Sequence, residues 1–189
     1  MKHLKSIKYN SPVVLTFAII SALVLLVSIL TQGKSTLLLF SVYRGSLLDP
    51  LFYVRLFGHV LGHADLAHYT NNMLLFLLVG PMLEEKYGSS RMIYIILIVA
   101  LITGVAHILL SNSILLGASG VVFAFILLAS ITGDTQGVPL TLIIVAIIYI
   151  GEQIFQGVTS SDNISQLTHI VGGTVGATIG LMFRKQKQY

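Results

Sequence analysis

The sequence contains no cysteine, and only 10% of its 189 residues are charged. The absence of cysteine excludes a disulfide framework, a thiolate nucleophile and any metal site with cysteine ligands. The small charged fraction, set against 55% apolar residues, leaves too little polar surface to solvate a globule of this size. We therefore expect the chain to lie in a lipid bilayer.

The net charge of +4 is distributed unevenly along the chain. Eight of the eleven Lys and Arg residues lie at the two termini or between Lys86 and Arg91, and the other three are Lys34, Arg44 and Arg55. This clustering is typical of membrane topology and argues against a nucleic-acid partner, which would need a basic face. It predicts that both termini are cytoplasmic.

Apolar runs separated by short polar breaks predict six helices in a single domain over residues 1–189. The expected fold class is an all-α membrane bundle. The first run has a basic flank but no obvious cleavage site, so we interpret it as a retained anchor rather than a signal peptide. The predicted helices cover residues 12–31, 66–83, 91–111, 118–132, 138–157 and 165–183.

The predicted helices differ in length. The second and fourth are shorter than the roughly 20 residues of a straight span, so we expect both to begin inside the membrane, against protein or water. The connection from about 32 to 65 is long. Long connections in compact domains are usually functional, so we expect this one to be structured and partly embedded on the outer side.

Four polar side chains on three predicted helices reach a common depth in the membrane. Counting residues from the cytoplasmic helix ends places Ser119 at about 21 Å and His169 at about 23 Å. By the same count, Asn72 and His68 lie at about 18 and 24 Å. Any one of these side chains alone could simply hydrogen-bond between helices. A serine, a histidine and amide donors at one depth are together the groups that acyl transfer requires.

Glycine spacing distinguishes His169 from a second histidine at a similar depth, His107. Gly172, Gly176 and Gly180 follow His169 on one helical stripe, along which another backbone can approach closely. The neighbours of His107 are bulky instead. We therefore expect His169, and not His107, to join the site.

Small residues surround Ser119 as well. Gly117 and Gly120 leave room for a neighbouring helix and for a substrate backbone. Because Ser119 opens its predicted helix, unpaired N–H groups and the positive end of the helix dipole point toward any oxyanion formed there. A Gly-x-Ser-Gly string alone is weak evidence for a catalytic serine, but its position at a helix start strengthens that evidence.

Other intramembrane proteases need groups that this sequence lacks. No His-Glu-x-x-His string occurs, and His59 and His63 lack an intervening glutamate, so we expect no metal site. The four aspartates fall in or beside loops, which excludes an aspartyl dyad, and no lysine lies at membrane depth. We interpret Glu152 as marking the outer end of the fifth helix. A Ser119–His169 dyad without an orienting acid is therefore expected.

Three short motifs occur in a fixed order. They are His-x-x-x-Asn at 68–72, Gly-Ala-Ser-Gly at 117–120 and His-x-x-Gly-x-x-x-Gly at 169–176. In these motifs, and in their order and spacing, the chain resembles the rhomboid intramembrane serine proteases from about residue 55 to 180. The family's fold is a six-helix bundle, and this chain resembles a minimal bacterial form of it, in the cell membrane.

The resemblance implies a role for each motif. Ser119 attacks the scissile carbonyl to form an acyl-enzyme, and His169 accepts and returns the proton. The Asn72 amide, the His68 imidazole and the backbone N–H of Ser119 hold the oxyanion. It also implies transmembrane protein substrates, no cofactor, and an active site that water reaches from the outer side.

Two alternatives belong to other functional classes. A rhomboid-like pseudoprotease would bind membrane segments without cleaving them, but such proteins usually lack the serine or the histidine. A small transporter would predict more charge at the membrane midplane and a repeat between the two halves, and neither is visible.

Overall fold

The computed structural model describes residues 8–131 and 163–185, together with residues 140, 141, 143, 144, 147, 148 and 151. Within this part of the chain the regular structure is helical, apart from an isolated antiparallel bridge between Val42 and Leu115. The expectation of an all-α fold is thus confirmed there. The helices, α1 to α7, are Pro12–Leu30, Lys34–Leu39, Pro50–Gly58, Leu66–Tyr87, Ser89–Leu110, Ser119–Ile131 and Asn163–Lys185.

Two of the described helices, α1 and α5, are long and apolar enough to cross a bilayer by length and composition. The described apolar part of α6 is shorter, at 13 residues. The predicted helix at 138–157 lies mostly outside the described residues, although the seven that are described between 140 and 151 are helical.

Helix α4 is longer than the short second helix predicted at 66–83. It has 22 residues, about 33 Å of rise, and it continues past Glu84. The buried carboxylate of Glu84 accepts the backbone N–H groups of Val13 and Val14, each at 3.0 Å, and the hydroxyl of Ser89 at 2.6 Å. It thus satisfies N–H groups in the first turn of α1, which have no partner within their own helix. The charged residue just beyond the predicted helix end at 83 therefore makes an interhelical contact.

The long connection after α1 contains α2, α3 and a 3-10 turn at His59–Leu61. Helix α3 begins at Pro50, and the side chain of Asp49 caps it. The guanidinium of Arg55 is buried, donates to the Asp49 carboxylate at 2.8 Å and lies 4.6 Å over the ring of Tyr43. This cluster holds the turn before α3 against the helix itself.

Hydrogen bonds of Arg44 and Val42 help to attach the connection to the rest of the bundle. The guanidinium of Arg44 donates to the carbonyl oxygens of Ile108 and Leu109, at 2.7 and 2.9 Å, in the last turn of α5. A cation there also interacts favourably with the helix dipole. Val42 and Leu115 exchange two backbone hydrogen bonds, at 2.8 and 2.9 Å. The connection is therefore fixed to the segment that leads into α6.

Helix α6 is the central helix of the described bundle, and most of its residues are buried. The ring of Phe125 stacks on Phe76 of α4 with centroids 5.1 Å apart, and Phe76 packs on Phe17 of α1 at 4.8 Å. A helix that is apolar on every side is typical of such a position. Residues at the start of α6 therefore lie inside the protein.

Candidate active site

The backbones of α6 and α7 touch because glycines face the contact. A Cβ on Gly172 would lie 2.5 Å from the carbonyl oxygen of Gly120, and a Cβ on Gly176 would overlap the backbone of Ala124. One turn further, a Cβ on Gly180 would meet only side chains. Such close approach is possible only for residues without side chains. It fixes the position of α7 along α6.

This contact brings Ser119 and His169 together. Ser119 is the first residue of α6, and His169 lies on α7, one turn before Gly172. The hydroxyl oxygen of Ser119 is 2.7 Å from Nε2 of His169. Both residues are half-buried, and the ring of Phe123 lies 5.0 Å from the imidazole. An imidazole at this distance can accept the hydroxyl proton as the oxygen attacks an electrophile.

His68 lies in the first turn of α4, close to the segment that leads into Ser119. The Asp65 carboxylate caps this turn and accepts the His68 backbone N–H at 2.7 Å. Nδ1 of His68 accepts the backbone N–H of Ala64 at 3.4 Å, so in the neutral ring the proton lies on Nε2. A Cβ on Gly117 would lie 2.8 Å from this Nε2. The imidazole therefore contacts the backbone that leads into α6.

Gly117 is required at its position for two reasons. Its φ of +127° is one that residues with side chains rarely adopt. A side chain there would also occupy the space that His68 fills. The glycine thus allows a ring on α4 to approach the start of α6.

Asn72 lies one turn after His68 on α4 and is buried. Its side-chain N–H donates to the carbonyl oxygen of His68 at 2.9 Å. The structure therefore places Asn72 beside His68, with one of its two amide N–H groups used inside the helix. The predicted nucleophile and base, Ser119 and His169, pair with each other.

Two further histidines contact the segment before Ser119. The carbonyl oxygen of His59 accepts the N–H of Gly117 at 2.9 Å, and Nε2 of His63 accepts the N–H of Ala118 at 3.5 Å. In the sequence, the spacing of His59 and His63 suggests only a metal site, and the glutamate of such a motif is absent. No pattern of residue types signals an acceptor for a distant backbone N–H, so these contacts could not be found that way.

The remaining polar candidates lie elsewhere. Nε2 of His107 lies 3.0 Å from the carbonyl oxygen of Ser113, in the turn after α5. Glu152 lies outside the described residues. Among the residues that the structure does describe, no three His, Asp or Glu side chains converge as metal ligands would.

Comparisons with known proteins give a consistent result. A family model described as "Rhomboid domain" matches residues 51–186, which contain every candidate site residue. Rhomboid protease GlpG of Serratia proteamaculans (strain 568) is 30% identical over 117 residues, which cover 61% of this chain and 42% of that protein. Rhomboid protease GluP of Bacillus subtilis (strain 168) is 26% identical over 158 residues, 80% of this chain and 31% of that protein. The chain spans less than half the length of these relatives.

Proposed function

The chain belongs to the rhomboid family of integral membrane proteins, and we propose that it is a serine endopeptidase that cleaves membrane proteins within or near their transmembrane segments. The observation that carries the proposal is the distance of 2.7 Å between the Ser119 hydroxyl and Nε2 of His169. A serine becomes a nucleophile when a base accepts its proton, and this distance allows that transfer. The names of the two bacterial relatives, both rhomboid proteases, agree with the proposal.

The first half of the proposed reaction forms an acyl-enzyme. Nε2 of His169 accepts the hydroxyl proton while the Ser119 oxygen attacks the carbonyl carbon of the scissile peptide bond. The resulting tetrahedral intermediate collapses, its C–N bond breaks, and the imidazolium donates its proton to the departing amine. One product leaves, and the other remains attached to Ser119 as an ester.

The second half releases that ester. His169 accepts a proton from a water molecule, whose oxygen attacks the ester carbon. The bond between the ester carbon and the Ser119 oxygen then breaks, the imidazolium returns the proton to that oxygen, and a product with a new carboxyl group leaves. The same two side chains thus serve both steps, and the proposed reaction uses no cofactor.

Three donors stabilise the oxyanion in this proposal. The backbone N–H of Ser119 lies at a helix start, where N–H groups lack intrahelical partners and the dipole is positive. His68 contributes Nε2–H, a role supported by the Ala64 N–H that occupies its Nδ1. Asn72 contributes its second amide N–H, and its position one turn from His68 supports this. Donors held in advance of the reaction need no reorganisation during it.

The proposed arrangement in the membrane is a six-helix bundle with both termini cytoplasmic. The distribution of Lys and Arg supports this orientation, which places the connection at 32–65, partly embedded, on the outer side. The site then opens toward that side, where water reaches it. The bacterial relatives support a bacterial cell membrane as its location.

Labelling with a fluorophosphonate tests the proposal, because this probe reacts with an activated serine. The full chain should be labelled in proteoliposomes, Ser119→Ala should not be, and His169→Ala should react far more slowly. Ser130→Ala is the matched control, since Ser130 lies on the same helix and donates to the Leu127 carbonyl oxygen. A wild-type protein that binds membrane segments but is never labelled would instead be a pseudoprotease.

A further inference from the structure

His63 makes contacts that define its chemical form. It lies in the loop before α4 and is fully buried. Nδ1 is 3.2 Å from the carbonyl oxygen of Leu61, which can only accept, and Nε2 is 3.5 Å from the backbone nitrogen of Ala118, whose N–H can only donate. One tautomer satisfies both contacts, with the proton on Nδ1 and an unprotonated Nε2. His63 is therefore a neutral acceptor directed at the chain before Ser119.

The backbone that His63 contacts determines where α6 begins. The carbonyl oxygen of Ala118 accepts the N–H of Val122 at 2.9 Å, the first hydrogen bond of the helix. On its other side, the N–H of Ala118 points to His63. The orientation of this residue sets the direction of the next peptide group, which carries the N–H of Ser119. A shift at Ala118 thus moves a proposed oxyanion donor.

The same imidazole also contacts a second proposed donor. The rings of His63 and His68 meet edge to face, with centroids 5.1 Å apart and planes at 73°. The ring of Tyr69 meets His63 in a similar way, at 5.5 Å and 86°. One buried side chain from the connection therefore touches both the start of α6 and the first turn of α4.

We propose that His63 is a positioning residue that sets the oxyanion donors Ser119 N–H and His68 in their mutual arrangement. This inference rests on the proposed function. Donors of this kind act at hydrogen-bond range on charge that develops only in the transition state. Loss of the His63 contact therefore slows the chemical step and leaves substrate binding little changed.

A matched pair of substitutions isolates the contact with Ala118. His63→Gln places a carbonyl oxygen near the position of Nε2 and retains an acceptor for the Ala118 N–H. His63→Asn places an amide nitrogen near the position of Nδ1 and loses that acceptor. In proteoliposomes with a model transmembrane substrate, we expect His63→Asn to lower kcat by about 100-fold, as for a misplacement of about 1 Å, with little change in KM. His63→Gln should recover most of the lost turnover.

The control is His107→Asn, because His107 is equally buried and its Nε2 contact with the Ser113 carbonyl lies outside the site. We expect it to lower Tm about as much as His63→Asn does, while kcat per folded molecule stays near wild type. Tm is measured for every variant, so that a loss of folded protein is separated from a loss of catalysis.

The possible outcomes separate this inference from the proposed function. If wild type is labelled by a fluorophosphonate but His63→Asn retains wild-type kcat, the positioning role is overturned and the proposed function stands. Equal losses in His63→Asn and His63→Gln also overturn it, because they indicate only a structural role. A wild-type protein that is not labelled overturns the proposed function, and the inference with it.

Discussion

The two halves of the candidate site are held in place by opposite means. On the α6–α7 side, Gly172 and Gly176 bring two backbones into contact because neither residue has a side chain. On the side of the connection and α4, polar groups hold backbone N–H groups, as His63 holds Ala118 and Asp65 holds His68. Ser119 lies where the two halves join.

The difference predicts which changes each half tolerates. The glycine contact depends on the volume of the facing residues. An added methyl group there therefore destabilises the protein, whereas an uncharged substitution on the nearby surface does not. The polar half depends on acceptors, so the loss of one oxygen or nitrogen leaves a buried N–H unsatisfied, at about 1–3 kcal/mol. Substitutions that change only volume or only hydrogen bonding can therefore separate the two halves.

The largest effect is expected when either member of the Ser119–His169 pair, around which the two halves meet, is replaced. Ser119→Ala or His169→Ala should lower kcat on a model transmembrane substrate by about a million-fold, as loss of a nucleophile or base does in serine proteases. Tm should change little, because neither side chain fills the core. Turnover near wild type in either variant would contradict the assignment of the dyad.

The next largest effect tests whether the polar half supplies a donor. Asn72→Ala should lower kcat by about 100- to 1000-fold if its amide carries a full share of the oxyanion stabilisation. Thr70→Ala is the control, since Thr70 is exposed on the same helix and donates to the Leu66 carbonyl oxygen. Equal rates for the two variants would remove Asn72 from the proposed site.

The glycine half is tested by volume alone. Gly176→Ala should destabilise the protein by about 1–3 kcal/mol, toward the upper end because the methyl group meets the backbone of Ala124 rather than a flexible side chain. Gly151→Ala makes the same change where a Cβ has open space among the described atoms, and should be close to neutral. Unfolding measurements on both variants check this, and similar stabilities would contradict the proposed close contact.

The smallest effect concerns pH and the connection. The hydrogen bond from Arg55 holds the pKa of Asp49 below its ordinary value. The contribution of this pair to stability is therefore present above about pH 4, the ordinary pKa of an aspartate. It is lost as the pH falls through the lower pKa of Asp49 in the folded protein. Asp49→Asn should lower Tm slightly at neutral pH and flatten its fall below pH 4. Parallel curves for wild type and variant would show that the pair contributes nothing.

The long apolar helices could be predicted from the sequence because each is a long run of apolar residues, and no other pattern in the sequence competes with that signal. The two short helices of the connection could not, since α2 and α3 have six and nine residues and no periodic run. One signal was nevertheless available, because Asp49 followed by Pro50 is a typical helix start. Helix α4 ends at Tyr87, beyond the predicted end at residue 83, because the buried Glu84 carboxylate is satisfied by the start of α1 and does not interrupt the helix.

Part of the candidate site could likewise be predicted from the sequence, and part could not. Glycines spaced by four on α7 pointed to a close helix contact, and side chains placed at one depth by counting, Ser119 and His169, lie 2.7 Å apart. Their catalytic roles remain predictions. The contribution of His63 depends on a backbone 55 residues away, and only the folded chain brings the two together. Such a contact cannot be predicted from residue types and their spacing.

The Glu84 carboxylate has a consequence for how α1 and α4 move relative to each other. Separating α1 from α4 at this end would leave a buried carboxylate and two backbone N–H groups without their partners, at a cost of about 1–3 kcal/mol for each unsatisfied group. The two helices are therefore expected to move as one body. Under the proposed function, a substrate segment is therefore expected to enter between other helices of the bundle, because the Glu84 contact joins α1 to α4 at this end.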